Sequence, residues 1–186
     1  MLTTNIRVRS ATPDDCFALA RIFIDATRSA FSGRVPDACL NWLQVEESAT
    51  NWKRFMDENN DLEQLLVAEV SEVDTVALIL VGRSSAEVVD DTEIASRYPI
   101  EVSSIQVDPA WQRLGLGRLL IQHAAQLVAE RGADSLMVRV LRDNPNVSFY
   151  KALGAEKVGS QPYDWEGYKT SELIMGWNTI GNLTCS

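Results

Sequence analysis

Hydrophobic and polar positions change from an alternating to a helical pattern in the middle of the chain. Ile105 and Val107 alternate with the polar Gln106, which predicts a strand. Pro109 ends this strand because proline has no N–H group to donate to a sheet. A helix is then predicted from about residue 116 to 131, with Gly132 as its stop signal. The residues expected on one face of this helix are Leu116, Leu120, His123, Ala124, Leu127 and Val128.

The same two patterns divide the rest of the chain into strands and helices. Strands are predicted at 5–9, 65–70, 75–81, 101–107, 135–141, 156–159 and 170–177, with Gln161-Pro162 interrupting the pattern near the end. Further helices are predicted at about 13–30, within 35–59 and at 144–153. Strand, helix and strand around residues 101–141 predict a βαβ unit with parallel strands. Residues 1–186 are therefore expected to form one α/β domain with a mixed, twisted sheet.

The loop at residues 112–117 has the features of an anion site. Unpaired N–H groups and the helix dipole both favour an anion at a helix N-terminus, and glycines let the backbone approach a ligand. Lysine does not follow Gly117, which excludes a Walker loop, and Leu120 stands where the dinucleotide fingerprint needs glycine. What is left is Gln112-x-x-Gly115-x-Gly117. An ordinary tight turn is the alternative interpretation.

This stretch resembles the acyl-CoA pyrophosphate loop of the GNAT superfamily of N-acetyltransferases. A second motif of that family is similar to Asn144-Pro145-x-x-x-Phe149-Tyr150-x-x-Leu153-Gly154-Ala155-Glu156. The resemblance implies a GNAT-like fold, with a mostly antiparallel sheet, a central parallel βαβ unit and flanking helices. It implies acetyl-CoA as co-substrate and no metal. The residues implied to bind the cofactor are Ile105, Gln106, Val107, Gln112, Arg113, Leu114, Gly115, Leu116, Gly117, Arg118, Asn144 and Tyr150.

The family's reaction is acyl transfer from a thioester to an amine, without a covalent enzyme intermediate. A lysine-like amine has a pKa near ~10.4, so a base must take its proton. Glu101 is the candidate base, because several family members carry a glutamate six residues before the position of Val107. Strand alternation is expected to place Glu101 on one face with Ser103, Ile105 and Val107. A polar residue at a strand end is the alternative interpretation of Glu101.

Tyr150 is implied to protonate the leaving thiolate, and backbone N–H groups of residues 105–107 to stabilise the oxyanion. Phe149 is the better candidate of this aromatic pair for packing under the sheet. The chain is therefore expected to be an acetyl-CoA-dependent N-acetyltransferase. The alternative is an acyl-CoA sensor or interaction module without turnover.

Charge and composition narrow the possible partners. A net charge of −9 argues against nucleic acid and anionic membranes, which need a basic surface. Without a leader pattern or a membrane-spanning run, the expected location is the cytoplasm. The expected acceptor is a small-molecule amine or a protein or peptide amine, and a homodimer is an expected assembly. Acidic residues on the connection at 84–99 favour a cationic acceptor if they border its cleft: Glu87, Asp90, Asp91 and Glu93.

The single histidine and the cysteines carry no catalytic or metal-binding pattern. His123 is expected to be a packed core residue of the predicted helix. Cys16, Cys39 and Cys185 are odd in number and far apart, so that they predict neither a disulfide framework nor a metal site.

Overall fold

Seven strands form one mixed sheet in the computed structural model, which describes residues 5–58, 63–70, 74–84 and 89–184. Numbered β1 to β7, they are Ile6–Ser10, Gln64–Val70, Asp74–Arg83, Ile100–Val107, Leu136–Leu141, Glu156–Trp165 and Tyr168–Trp177. Their order is β1-β2-β3-β4-β5-β7-β6, and β4 and β5 are parallel while the other neighbours are antiparallel. The predicted mixed, mostly antiparallel sheet with a central parallel pair is confirmed.

Helices cover both faces of this sheet. Numbered α1 to α7 within the described ranges, they are Cys16–Phe31, Ala38–Asn41, Val45–Glu58, Thr92–Arg97, Leu116–Glu130, Val147–Ala152 and Gly181–Thr184. On β3, Ile79 packs in the core cluster under α5, whereas its neighbour Leu78 packs in the cluster that α1 and α3 cover. A strand covered on both faces is apolar at nearly every position, as the sequence of β3 is. Within the described ranges, every helix is too short or too polar to cross a lipid bilayer.

The last hairpin contradicts the predicted interruption at Gln161-Pro162. β6 continues through Pro162, which lies opposite Ser171 of β7. β6 is an edge strand with β7 as its neighbour. Proline is tolerated on an edge strand because its missing N–H can lie on the side that has no partner strand. The prediction was wrong because the local sequence does not show that β6 is an edge strand. That position follows from the order of the strands in the sheet.

The acidic connection between β3 and β4 contains α4, which packs on the sheet through two glycines. The ring of Tyr98 lies over Gly176, where a Cβ would be 2.6 Å from Cζ of the ring. Ile94 lies in the same way over Gly159. Asp91 caps α4, because its Oδ1 accepts hydrogen bonds of 3.0 Å from the backbone N–H groups of Glu93 and Ile94. Glu87 lies outside the described residues.

The histidine and the two described cysteines lie on three different helices, Cys16 on α1, Cys39 on α2 and His123 on α5. His123 is half-buried on α5, and its Nδ1 is 2.9 Å from the carbonyl oxygen of Leu119. Cys16 and Cys39 are buried free thiols, and burial raises the pKa of both. Cys185 lies outside the described residues.

An ion cluster ties the first strand to the start of the first helix. Arg9 on β1 donates to Asp15 Oδ2 at 2.8 Å and to Glu69 Oε2 on β2 at 2.6 Å. Burial alone would raise the pKa of Asp15. Hydrogen bonds from Arg9, Thr12 and Thr75 outweigh burial and hold that pKa well below its usual value. The folded state therefore favours the ionised carboxylate.

Asp15→Asn tests the contribution of this cluster to stability. We expect the free energy of unfolding at pH 7 to fall by about 1–3 kcal/mol, because partners of the carboxylate lose a charged acceptor. The folded pKa of Asp15 lies below its unfolded value of about 3.9, so the contribution is present above that value and is lost as pH falls through the folded pKa. Urea unfolding should therefore show a smaller difference between the two proteins at pH 3 than at pH 7. Equal stabilities at pH 7 would contradict the prediction.

Candidate functional site

The loop between β4 and α5 presents open backbone at the N-terminus of a 15-residue helix. Gly115 is the N-cap residue with φ of 89°, in the left-handed region that favours glycine. A Cβ at this position would meet no heavy atom within 4 Å apart from its own chain neighbours. Arg113 also has a positive φ, of 65°, which is uncommon for a residue with a side chain. The exposed Gly115 thus leaves an uncrowded stretch of backbone at the start of α5, which can accept an anionic group.

Side chains of the loop divide into exposed and internal ones. Arg113, Leu114 and Arg118 are exposed, and Leu114 is 63% exposed, which is high for an apolar residue. Leu116 is 1% exposed and belongs to the main core, so only its backbone can face a ligand. The Gln112 side chain closes the loop, because its Nε2 donates to the carbonyl of Val107 at 3.0 Å. The two arginines are the positive charges that this loop offers to a phosphate.

An ion pair that sequence reasoning missed anchors the start of the loop to α1. Arg21 Nη1 lies 2.6 Å from Oδ2 of the buried Asp108, whose Oδ1 accepts from the N–H of Ala110 at 2.9 Å. The pair spans 87 positions in sequence. Asp108 precedes a proline at the end of a predicted strand, and this position was the available signal that Asp108 is a cap. Nothing in the sequence indicated Arg21 as the partner of Asp108.

Gly117 joins the two sequence motifs in space. A Cβ at position 117 would lie 3.0 Å from Cζ of Phe149 on α6. The half-buried Phe149 ring therefore packs directly against the first turn of α5. Glycine at 117 is explained by this close packing, whereas glycine at 115 is explained by its backbone conformation.

A β-bulge at Ser103 opens the sheet between β4 and β5. The register of β4 on β3 shifts there, and Ser103 has no Cα partner while Val102 faces Val81 and Ser104 faces Leu80. The parallel pairing with β5 consists of Glu101 with Met137 and Val102 with Val138. Beyond Val102, β4 pairs with β3 alone in the described part of the sheet. The β5 side of residues 105–107 is therefore a strand edge whose polar backbone groups can bind a ligand.

The bulge also decides which residues share a face of β4. Val102, Ile105 and Val107 all pack in the core cluster beneath α5. Glu101 is therefore on the opposite face, and the part of the prediction that places it on one face with Ile105 and Val107 is wrong. The extra residue at the bulge shifts the alternation by one, so the simple period of two does not extend across it.

On that opposite face, Glu101 is part of a buried ion cluster across three neighbouring strands. Glu101 is 3% exposed, and its Oε1 is 2.8 Å from Nε of Arg139 on β5. Nη1 of Arg139 is 2.9 Å from Oε2 of Glu172 on β7, which is 8% exposed. Burial raises the pKa of Glu101, the charge and hydrogen bond of Arg139 oppose the rise, and the charges of Glu172 and Glu63 add to it. The net effect is a raised pKa, which is characteristic of functional carboxyl groups as well as of buried ion clusters.

The cluster continues through β6 to the acidic connection. Gln161 Nε2 donates to Glu172 Oε2 at 2.9 Å, and Gln161 Oε1 accepts from the N–H of Asp90 at 3.2 Å. Tyr163, also on β6, is 38% exposed. Burial and the charge of Glu172 raise its pKa. Sequence reasoning missed Glu172 and Gln161 as parts of this cluster and Tyr163 as a group that its charges affect, because strand order brings these residues together.

Tyr150 lies on α6, and Asn144 lies in the turn before it. Tyr150 is 6% exposed, and its ring contacts those of Phe149 and Trp177 at centroid distances of 5.1 and 6.4 Å. Tyr150 is thus the more buried of the aromatic pair, contrary to the expectation that Phe149 would be the packed member. Burial raises the pKa of the Tyr150 phenol, which stays protonated at neutral pH. The Asn144 side chain accepts from the N–H of Asn146 at 2.8 Å and so shapes the turn into α6.

Comparison with known proteins supports one family. The sequence model of a family described as FR47-like protein matches residues 84–165, which include the loop, Glu101, Arg139 and α6. An uncharacterized N-acetyltransferase, YuaI of Bacillus subtilis (strain 168), is 25% identical over 178 residues, which are 96% of each chain.

Two solved structures have the same fold. One is a ribosomal-protein-alanine N-acetyltransferase from Brucella melitensis, with 22% identity, a TM-score of 0.67 and coverage of 92% of this chain and 98% of the other. Another is the PaiA N-acetyltransferase from Thermoplasma acidophilum in complex with coenzyme A, with 17% identity, a TM-score of 0.65 and coverage of 92% and 98%.

Proposed function

We propose that the chain is a member of the GNAT superfamily of N-acetyltransferases and that it moves an acetyl group from acetyl-CoA to a primary amine by direct attack on the thioester. The observation that carries the proposal is the open β4 edge after Val102, which leads directly into the uncrowded backbone around Gly115. A long, narrow ligand with a phosphate end and an amide-containing arm fits these two features in sequence. The acceptor is a small-molecule amine or a protein or peptide amine.

The cofactor proposal assigns its parts to different backbone segments. The pyrophosphate would lie at residues 112–118, held by N–H groups at the start of α5 and by the exposed Arg113 and Arg118. Local positive charge matters here because the chain carries a net charge of −9 and CoA is itself anionic. The pantetheine arm would lie along residues 105–107, whose β5-facing edge has polar groups to pair with its amides. Bound acetyl-CoA supplies the activated acyl group.

Glu101 is the proposed base. It would accept a proton from the acceptor ammonium through a bridging water, because at 3% exposure the carboxyl has little direct access to a substrate. The neutral amine then attacks the thioester carbonyl, and backbone N–H groups of residues 105–107 stabilise the oxyanion. Collapse of the tetrahedral species breaks the C–S bond and releases the CoA thiolate, and the extra proton on the attacking nitrogen passes to that thiolate, so that the products are the neutral amide and the CoA thiol.

Tyr150 is the proposed donor to the leaving sulfur. Its raised pKa keeps the hydroxyl protonated, which suits a group that must donate a hydrogen bond to a thiolate. A CoA thiol has a pKa near that of cysteine, about 8.5, so the thiolate forms readily and needs stabilisation at the moment of release. Asn144 is proposed to contact the cofactor through the groups that its turn leaves free.

The alternative function is an acyl-CoA-binding sensor or interaction module without turnover. The observation that favours it is the ion pair between Glu101 and Arg139, which lowers the basicity of the carboxylate. The two functions differ in one readout, the release of CoA when an amine is supplied.

A cationic acceptor is favoured by the position of Asp90, whose backbone contacts the Glu101 cluster through Gln161.

Gly115→Glu tests the cofactor loop. We expect acetyl-CoA binding to be lost, because a carboxylate would occupy the open space at the N-terminus of α5 where the proposed pyrophosphate lies. Isothermal titration calorimetry measures the affinity. Gly132→Glu is the matched control: Gly132, just beyond the end of the same helix, has φ of 75° and equally open space, so this variant suffers similar backbone strain and gains the same charge. Unchanged affinity in a folded Gly115→Glu protein would refute the assignment.

Glu101→Gln tests the base. We expect kcat/KM to fall by about 10²–10⁴-fold and its rise with pH on the acidic side to disappear, because no group titrates in place of the carboxylate. Glu69→Gln is the matched control, since Glu69 is also a buried glutamate paired with an arginine. An acidic limb that persists in Glu101→Gln would assign that limb, and the base, to another group.

Tyr150→Phe removes the hydroxyl and keeps the ring. We expect turnover to fall by about 10²–10⁴-fold with acetyl-CoA affinity unchanged, because the donor to sulfur acts only as the bond breaks. Single-turnover kinetics isolate the chemical step. Tyr98→Phe serves as control, since Tyr98 is equally buried and donates its hydroxyl to Asn178 Oδ1, away from Tyr150. A chemical step as fast as that of the wild type would leave Tyr150 as a packing residue.

A further inference from the structure

Arg139 lies between two carboxylates that come from the strands on either side of it. It holds Glu101 of β4 through Nε and Glu172 of β7 through Nη1, at 2.8 and 2.9 Å. Two different nitrogens of one planar guanidinium are used, so the positions of both carboxylates are tied to one rigid group. Arg139 is also the most exposed member, with 22% of its side chain accessible against 4% for Glu101 and 11% for Glu172.

The hydrogen bonds leave one oxygen of Glu101 available. Arg139 contacts Oε1, and no hydrogen bond within the described ranges uses Oε2. A carboxylate held by one oxygen keeps its orientation while its other oxygen can accept a proton. A fork-to-fork pair, with both oxygens bound, would hold the ionised form much more strongly.

Glu172 weakens the hold of Arg139 on Glu101. Its Oε2 accepts from Arg139 and from Nε2 of Gln161, so the cluster of one arginine and two glutamates carries a net negative charge. Gln161 in turn accepts a hydrogen bond from the backbone N–H of Asp90, in the connection between β3 and β4. Gln161 therefore links the Glu172 carboxylate to that connection. The cluster therefore has a cation that favours ionised Glu101 and a fixed carboxylate that opposes it.

We propose that Arg139 and Glu172 are positioning residues that together set the orientation and the charge state of the Glu101 carboxylate for proton transfer. The inference rests on the proposed function of Glu101 as base. A general base works best when its pKa lies near the working pH, since a strongly stabilised carboxylate is a weak base. The two partners act on the pKa of Glu101 with opposite signs, because the charge of Arg139 lowers it and that of Glu172 raises it.

The other influences on the Glu101 carboxyl raise its pKa. Burial is the largest cause and raises the pKa of Glu101, and the charge of Glu63, which precedes β2, raises it further. Tyr163 on β6 responds to Glu172 and Arg139, but its phenol is neutral in the pH range where a carboxyl titrates. Arg139 is thus the cation that offsets these effects, and Glu172 limits the offset.

The experiment compares the acidic limb of kcat/KM against pH in three variants. Arg139→Met should move the limb to higher pH by about 1 unit or more, because Glu101 loses its cation. Glu172→Gln should move the limb to lower pH, because it removes a negative charge that raises the pKa of Glu101 and leaves Glu101 as the only carboxylate paired with Arg139. Arg139→Lys keeps the charge and loses the planar fork, so its limb should lie near that of the wild type while kcat is reduced.

A second arginine in the same kind of arrangement provides the control. Arg9 lies between Asp15 and Glu69, at 2.8 and 2.6 Å, at the β1 side of the sheet. Arg9→Met should lower the melting temperature without moving the limb. Limbs that stay at the wild-type position in Arg139→Met and Glu172→Gln, with only stability reduced, would overturn the proposal.

The outcomes separate this inference from the proposed base. If Glu101→Gln keeps the acidic limb, the base assignment fails. If Glu101→Gln loses the limb but Arg139→Met and Glu172→Gln do not move it, only the present inference fails. Should Arg139→Met not fold, the nearly isosteric Glu172→Gln decides alone, and a limb at wild-type or higher pH in that variant overturns the proposal.

Discussion

The bulge at Ser103 is the constraint on which the site depends. One extra residue on β4 ends the pairing with β5 after Val102 and shifts the alternation of side chains along the strand. Beyond this point the β5-facing backbone groups of residues 105–107 are not used by the described part of the sheet. Glu101 precedes the bulge along β4, and the open strand edge at residues 105–107 follows it. The bulge therefore separates a closed half of β4, which holds the ion cluster, from an open half that can take a ligand.

Packing between the two motifs holds the open half in shape. α5 starts at the loop and packs into the main core through a face that includes Leu116 and Leu120. Phe149 then lies against Gly117, which fixes α6 beside the first turn of α5. Arg21 holds the loop from the opposite side through Asp108. The loop is thus supported on both sides while its own backbone at Gly115 stays uncrowded, so little conformational freedom would be lost when an anion binds.

Sequence reasoning found the features that depend on short-range chemistry. The strand, Pro109, Gly115, Gly117 and the amphipathic helix follow one another within about a dozen residues, and each has a local physical reason. The parallel pair β4 and β5 followed from the strand, helix and strand order. The features that were missed depend on which strands become neighbours. Arg139 meets Glu172 only because β7 inserts between β5 and β6, and Pro162 is tolerated only because β6 is at the edge.

The contacts of Ile94 and Tyr98 with Gly159 and Gly176 tie the connection between β3 and β4 to the last hairpin. Ile94 and Tyr98 occupy hollows that only residues without a Cβ leave on the strand surface. A different connection grafted between β3 and β4 would leave those hollows empty, and this connection grafted onto another sheet would collide with any larger residue there. The connection and the two glycines of the last hairpin therefore form one packing unit, although they are distant in sequence. A functional exchange of this segment between proteins would therefore require that the hairpin be exchanged with it.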